Sequence, residues 1–430
     1  MHRFILILGL LLPFSVLAQE MATDTTKAYK KRVLESTEID LLGSYYAQDG
    51  NNGAVTGGIG TEELEDLTAA IIIAIPLNDD DVLTIDAGIS DYTSASTANI
   101  DPFVTGSGAS HADIWTNIVG TYSHSSDNRN TVWSANMSVS SEYDYFSFGF
   151  GGSFTKLMHE KNTELSVHTN IYLDTWTLIY PRELRPFDVG GKGLDDDFFK
   201  ENTITGNPDY APVFNGLNER KRNSYAFGLN LSQILSPRLQ ALLSIDVIQQ
   251  QGLLSTPFHR VYFKDVAPSY INNIHLANDV EKLPDSRTKL AIGARLNYYI
   301  NEVFILRTFY RYYTDDWGIA SHTASLEAPI KIANRWTLYP SYRYYVQSAA
   351  DYFAPYKGHH SSAQFYTSDF DVSKYDANQF GFGLSYTDMF TDFRISRFGL
   401  KSIDLKYVNY QRSTGLKAGI ITGGLKFVME

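Results

Sequence analysis

Four arginines stand inside long alternating stretches of this sequence, and their spacing is its clearest hint of chemistry. Arg295 lies on the small, polar phase of 289–300, opposite Leu290, Ile292, Ala294, Leu296, Tyr298 and Ile300. Arg307 and Arg311 share a phase with Ile305, Phe309 and Tyr313, and Arg343 alternates with Tyr342 and Tyr344. An arginine facing lipid at mid-depth costs about 2 to 4 kcal/mol, so all four are expected to face a wet interior. Together they would form a basic ladder on one wall, as arginine rings do in pores that favour anions. The carboxylates Asp86, Glu164, Asp174, Asp246, Glu327 and Asp404 fall on the same wet phase. Two readings stay open: a selectivity surface, or charges that cross-brace a hydrated lumen.

Other candidate chemistry is weaker. Asp195, Asp196 and Asp197 offer carboxylates to a divalent cation, but the spaced ligands of a calcium loop are missing. A solvated acidic turn is the preferred reading, and no metal or cofactor is expected. Ser321-His322-Thr323 and the pair His359-His360 near Asp351 supply nucleophile and base types. Neighbouring strand residues point to opposite faces, so Ser321 and His322 cannot form a dyad. There is no phosphate-binding loop, HExxH or nucleophile elbow, and Gly57-Gly58-Ile59-Gly60 reads as a flexible turn. No catalytic residue is assigned.

The elements that position these residues are strands. Segments 82–90, 164–174, 224–232, 289–300 and 379–387 alternate apolar with small or polar residues, the period of a two-faced strand. They run longer than the roughly 5 to 6 residues of ordinary strands and suit a tilted membrane crossing. Short polar turns at 78–81, 127–130, 159–162, 236–238, 301–302 and 333–335 alternate with long joints at 49–66, 94–114, 179–222, 255–286 and 349–378. Three joints of the long class, near Tyr143, Asp315 and Ser413-Thr414, are short. That parity predicts an all-β fold: a transmembrane up-and-down antiparallel barrel of about sixteen strands, with fourteen or eighteen open. Aromatics at segment ends (Tyr45, Tyr46, Tyr92, Trp115, Trp133, Trp176, Tyr180, Tyr312, Trp317 and Trp336) are expected as interfacial girdles. Only around 391–400 is the pattern ambiguous between a turn and a short helix.

Composition agrees. Residues 1–18 read as a cleaved signal peptide, 19–37 as a short periplasmic extension and 38–430 as the barrel domain. The chain has no cysteine, so disulfides and thiolate metal sites are excluded. A formal charge of −12 argues against nucleic acid. Beyond the signal the longest apolar run, 69–77, is far too short for a transmembrane helix.

Four stretches resemble one family. They are 55–62 (VTGGIGTE), 256–262 (TPFHRVY), 310–317 (YRYYTDDW), and 342–345 (YRYY) with 350–353 (ADYF). They are similar to an uncharacterised outer-membrane β-barrel family, domain of unknown function 3570. The resemblance implies an outer-membrane barrel of Gram-negative bacteria and carries no activity with it. The functional expectation is a passive, porin-like channel for small polar or anionic solutes, in contact with membrane lipid. The alternative is a surface-assembly barrel whose long loops bind a lipoprotein or secreted partner, with Phe365-Tyr366 and Tyr352-Phe353 as contacts. A barrel hydrolase ranks below both. The loop 179–222 either folds inward as a constriction or covers the barrel from outside.

Overall fold

A computed structural model describes residues 30–93, 103 and 113–429. The signal-peptide reading of 1–18, and residues 19–29 of the expected extension, lie outside the described residues. Sixteen long antiparallel strands close into a barrel. In chain order they are β1 (Glu38–Asp49), β2 (Leu64–Pro76), β3 (Asp81–Tyr92), β4 (Asp113–Ser125), β5 (Thr131–Ser141), β6 (Tyr145–Met158), β7 (Thr163–Trp176) and β8 (Lys221–Ser236). The second half is β9 (Leu239–Gly252), β10 (Ser286–Tyr299), β11 (Ile305–Asp315), β12 (Ala320–Glu327), β13 (Trp336–Gln347), β14 (Tyr375–Thr387), β15 (Phe398–Arg412) and β16 (Lys417–Met429). Each pairs with its sequence neighbour, and β1 pairs with β16 from Glu38↔Val428 to Asp49↔Lys417. Closure leaves no edge, as a hydrocarbon environment demands. Two short strands, Ile330–Ala333 and Arg394–Ile395, join the same sheet beside β13 and β15. The second resolves the ambiguous segment: 391–400 is a turn leading into β15, not a helix.

The register fixes which way every side chain faces. Starting from Asp40 on β1, partners step through Ile72, Asp86, Val119, Ser138, Gly149 and Tyr172, all on one face. Continuing round, that face passes through Asp246, Ala291, Tyr313 and Ser321 and returns to Asp40 by way of Lys426. The parity therefore closes on itself, and one phase is the lumen at every strand. The outward phase holds Leu67, Ile118, Met137, Phe150, Phe227, Leu243, Ile292, Phe380 and Leu405, all exposed in the absence of lipid. It carries Asp, Glu, Lys or Arg only near strand ends, at positions such as Glu65, Asp91 and Lys156. An apolar belt closed on itself is the surface of a membrane-spanning barrel.

The expected aromatic girdle divides. Tyr45, Trp133, Tyr312 and Trp336 do point outward. Tyr46, Tyr92, Trp115 and Trp176 fall on the lumen phase instead, and Tyr180 and Trp317 are buried under loops. Position at a strand end did not discriminate, because facing is set by parity and not by height.

The long joints fold together. Residues 177–220 and 253–285 share an apolar core of Tyr180, Leu184, Phe198, Phe199, Tyr210, Phe214, Tyr262, Ile271, Leu276 and Val280. Val261, Phe263 and Tyr366 form a second core that brings in 348–374. The joint 50–63 completes the assembly where Arg260 Nη1 donates to the Val55 carbonyl at 3.4 Å. These two joints lie eight strands apart, half the circumference, so the loops meet across the mouth. The segment 179–222 is thus neither a lone constriction nor a loose cover but one part of a shared dome. Tyr366 is buried and donates to Asp279, and Tyr352 packs edge-on against Trp317 and Phe365. Of the aromatic pairs expected as partner contacts, Tyr366 is interior to this dome, and Phe365, Tyr352 and Phe353 are half-buried.

Candidate functional site: a chamber under the loops and an arginine wall

A turn sets the chamber's first residue. Pro257 follows Thr256, and the His259 N–H bonds back to the Thr256 carbonyl at 3.2 Å, with proline in the position that favours such a turn. The turn aims His259 toward Glu281, whose Oε2 is 3.6 Å from His259 Nδ1. Glu281 Oε1 also accepts the Thr256 N–H at 2.8 Å, and Thr367 Oγ1 donates to Oε2. Asp369 comes from a different loop and caps a single 3-10 turn through the Asp371 N–H at 2.8 Å. The three groups gather with donor atoms within 4.8 Å of one another.

His259 and Asp369 face a cavity of about 560 Å³. Its walls include Glu62 from the 50–63 joint, and its floor is lumen wall: Tyr46, Gln379, Tyr410 and Arg412. Inward-facing Gln347 ties this roof to the barrel by donating to the carbonyls of Asp371 and Ser373. Arg412 does the same through Asp371 at 2.7 Å while lying over the Tyr375 ring.

The chamber is electrostatically loaded. Burial, with the Asp371 carboxylate adding to it, pushes Asp369 up to about 7. Burial also raises Glu62, whose Oε2 is buried without a hydrogen-bond partner. Burial opposes charging of His259, but the adjacent Glu281 carboxylate outweighs it and raises the imidazole. Burial likewise works against the charged Glu281, and the His259 contact overrides it downward. His259 Nδ1 itself is buried with no hydrogen-bond partner. The arrangement has surplus acceptors around a ring nitrogen that stands 3.6 Å from Glu281 Oε2, beyond hydrogen-bond distance.

The ten wall residues named from the sequence share the lumen phase of the register. Arg295 opposes Phe309 across β10–β11, and Phe309 opposes Ser325, which opposes Arg343 on β13. Arg307 and Arg311 flank Phe309 on β11. Arg307 pairs with Glu327 at 2.9 Å. Arg295, Arg311 and Arg343 are exposed, and no carboxylate among the described residues reaches within ion-pair distance of them. Arg343 lines a cavity of about 290 Å³ with Gln379 and Tyr410, which also line the larger chamber. Arg307, Glu327, Asp404 and Lys406 line a third, of about 370 Å³.

The carboxylates disperse around the circumference. Asp86 is on β3, eight strands from β11. Glu164 is exposed on β7. Asp246 lies 3.4 Å from His168, and a Cβ at Gly228 would collide with both. Asp404 accepts from Ser402 at 3.1 Å. Asp174 pairs with Arg222 at 2.8 Å near the mouth. Of the acidic triplet, Asp196 caps the helix Asp197–Glu201 and pairs with Arg182 at 3.0 Å, while Asp195 and Asp197 are exposed. His322 takes the Tyr310 hydroxyl at 2.7 Å, and His359 is held by the Thr367 carbonyl.

The sequence reading missed the His259–Glu281–Asp369 cluster. Its only local signal was the Thr-Pro turn, since the partners lie far along the chain in other irregular segments. Three of the stretches that carried the family resemblance meet in this dome: Val55 to Glu62, Thr256 to Tyr262, and Tyr352-Phe353 beside Thr367.

Solved structures with similar chain traces are barrels of low identity. A bacterial polysaccharide outer membrane secretin is 10% identical, at a TM-score of 0.44, over 92% of this chain and 99% of that one. Pseudomonas aeruginosa OccK1 (OpdK) is 7% identical, at 0.39, over 92% and 99%. Pseudomonas aeruginosa OccK2 (OpdF), solved in complex with glucuronate, is 7% identical, at 0.41, over 93% and 98%. No curated protein matches the sequence. The family described as protein of unknown function (DUF3570) matches residues 110–418, most of the chain, and the chain belongs to it.

Proposed function

We propose that the protein is a passive outer-membrane channel for small polar or anionic solutes, with its loop dome restricting entry. One observation carries the reading: Arg295, Arg311 and Arg343 lie exposed on one lumen wall with no carboxylate among the described residues at ion-pair distance. Charges that merely brace the interior would be neutralised in place, as Arg307 is by Glu327. Asp86 stands half a circumference away from this basic wall. In this reading the short turns and the first and last residues of the barrel strands lie in the periplasm and the dome faces outside, as in bacterial barrels generally. Export by a cleaved signal at 1–18 belongs to the same proposal.

The test is conductance in planar bilayers under a KCl gradient. A channel of this kind passes current with a reversal potential biased toward chloride. The triple variant Arg295→Ala, Arg311→Ala, Arg343→Ala should move that potential toward zero. Absence of conductance above background, with solute uptake by cells unchanged in the triple variant, would end the channel reading.

A surface-assembly role is the second reading, supported by apolar residues on the dome's outer surface. Val189 is 93% exposed, and Leu194 and Val213 are exposed as well. A lipoprotein or secreted protein docked there should co-purify at stoichiometric level in mild detergent and be lost when 179–222 is deleted. Loss of the barrel itself on deletion, read by electrophoretic mobility, distinguishes collapse from undocking.

A further inference from the structure

We propose that His259, Glu281 and Asp369 bind a divalent transition-metal ion in the roof of the chamber. This inference stands apart from the channel reading. The donor set is one imidazole nitrogen and two carboxylates within 4.8 Å of one another, the compass of a single ion. Calcium and magnesium prefer all-oxygen shells, so an imidazole in a three-residue set selects zinc, cobalt, nickel or manganese. Three protein ligands leave a fourth position, which opens onto the chamber and suits water.

Two further observations point to a cation. His259 Nδ1 is buried beside the carboxylates with no hydrogen-bond partner, although an imidazole nitrogen so placed ordinarily has one. Glu281 and Asp369 are also already oriented from behind, as ligating carboxylates are. The Thr256 N–H and Thr367 Oγ1 hold Glu281, and the Asp371 N–H holds Asp369. Histidine and glutamate come from the 253–285 joint and aspartate from 348–374. The ion would therefore cross-link two loops of the dome on the side that faces the chamber. The competing arrangement is a protonated His259 paired directly with Glu281, which needs no metal.

Titration of the full-length protein in detergent micelles decides between them. Chelator-stripped protein is titrated with ZnCl2 by calorimetry and with CoCl2 by visible absorption. One ion per chain is expected, with cobalt d–d bands. His259→Ala and Asp369→Asn should each weaken uptake by more than about tenfold, while His360→Ala binds as the parent does. No stoichiometric uptake of either metal, or uptake untouched by His259→Ala in a barrel of normal electrophoretic mobility, overturns the site. If the variants do not fold, X-ray absorption of the zinc-loaded parent decides. Imidazole scattering supports the site, and a shell of oxygen donors alone overturns it.

Discussion

Arg260 and Glu183 form a two-pronged ion pair in the middle of the dome, with Nε–Oε1 at 2.8 Å and Nη2–Oε2 at 3.2 Å. The side chains are 2% and 0% exposed. Each belongs to a different long joint, and further bonds of the pair reach the Val55 carbonyl and the Ala277 N–H. A planar guanidinium is suited to such a role because its donors are fixed in one plane. The pair thereby ties three loops together over one mouth, and two of them, 50–63 and 253–285, wall the chamber.

Breaking it from one side should undo the dome while sparing the barrel. Glu183→Ala leaves a buried, uncompensated guanidinium, which costs about 3 to 5 kcal/mol. Arg260→Ala strands the carboxylate with a similar penalty. Limited proteolysis should then cut within 177–220 and 253–285 in either variant and leave the parent intact. Cleavage no faster than in the parent would show that the apolar core alone holds the loops.

Gly57 supplies a second, sharper test. It adopts φ +79 at the end of the 3-10 turn Ala54–Thr56, and its backbone lies against the Tyr262 ring and the Arg260 carbonyl. A Cβ there would come within 2.7 Å of the ring and 3.0 Å of the oxygen. Gly57→Ala should therefore release the 50–63 joint through left-handed strain plus collision, about 1 to 3 kcal/mol. Hydrogen exchange confined to 50–63 would accelerate, with β1 and β2 protected as before. Uniform protection across the joint would refute the account.

The barrel was legible because its information is local and periodic. Lys289 to Ile300 shows which face is wet without reference to any other strand. Turn parity then ordered the strands, and both readings survive in the register. The dome was not legible, since Glu183, Arg260 and Val55 have no shared period and meet only through tertiary folding. The acidic triplet drew attention by adjacency, yet Asp196 serves a helix cap. His259, Glu281 and Asp369, scattered over 111 positions, gave no comparable signal. Arg295, Arg311 and Arg343 share one phase in sequence and register alike, but that no carboxylate among the described residues pairs with them could only be read in three dimensions.

Parity makes its own prediction at adjacent residues. Leu296 faces outward three residues from the end of β10, and Arg295 faces the lumen. Leu296→Arg should destabilise the folded barrel by about 1 to 2 kcal/mol in lipid, less than at mid-depth. Arg295→Leu should leave its stability nearly unchanged. Urea unfolding in vesicles, followed by tryptophan fluorescence, measures both. A Leu296→Arg barrel as stable as the parent would mean that the register is wrong by one residue.

The dome should also respond to acid through His275. Its ring stacks on Tyr262 with centroids 4.4 Å apart, and Nδ1 meets the Tyr356 hydroxyl at 2.7 Å. Burial, helped by the nearby Lys357 ammonium, lowers the imidazole from 6.5 to about 4. The unfolded loops therefore bind a proton between those values that the folded dome refuses. Its stabilising contribution is complete above pH 6.5 and is lost as pH falls toward 4. Protection factors of amides in 260–276, corrected for intrinsic exchange, should drop between pH 7 and pH 5. In His275→Phe, which keeps the stack and removes the titration, the drop should flatten. A variant as pH-sensitive as the parent would assign the effect to another group, and a parent with no drop would contradict the buried neutral ring.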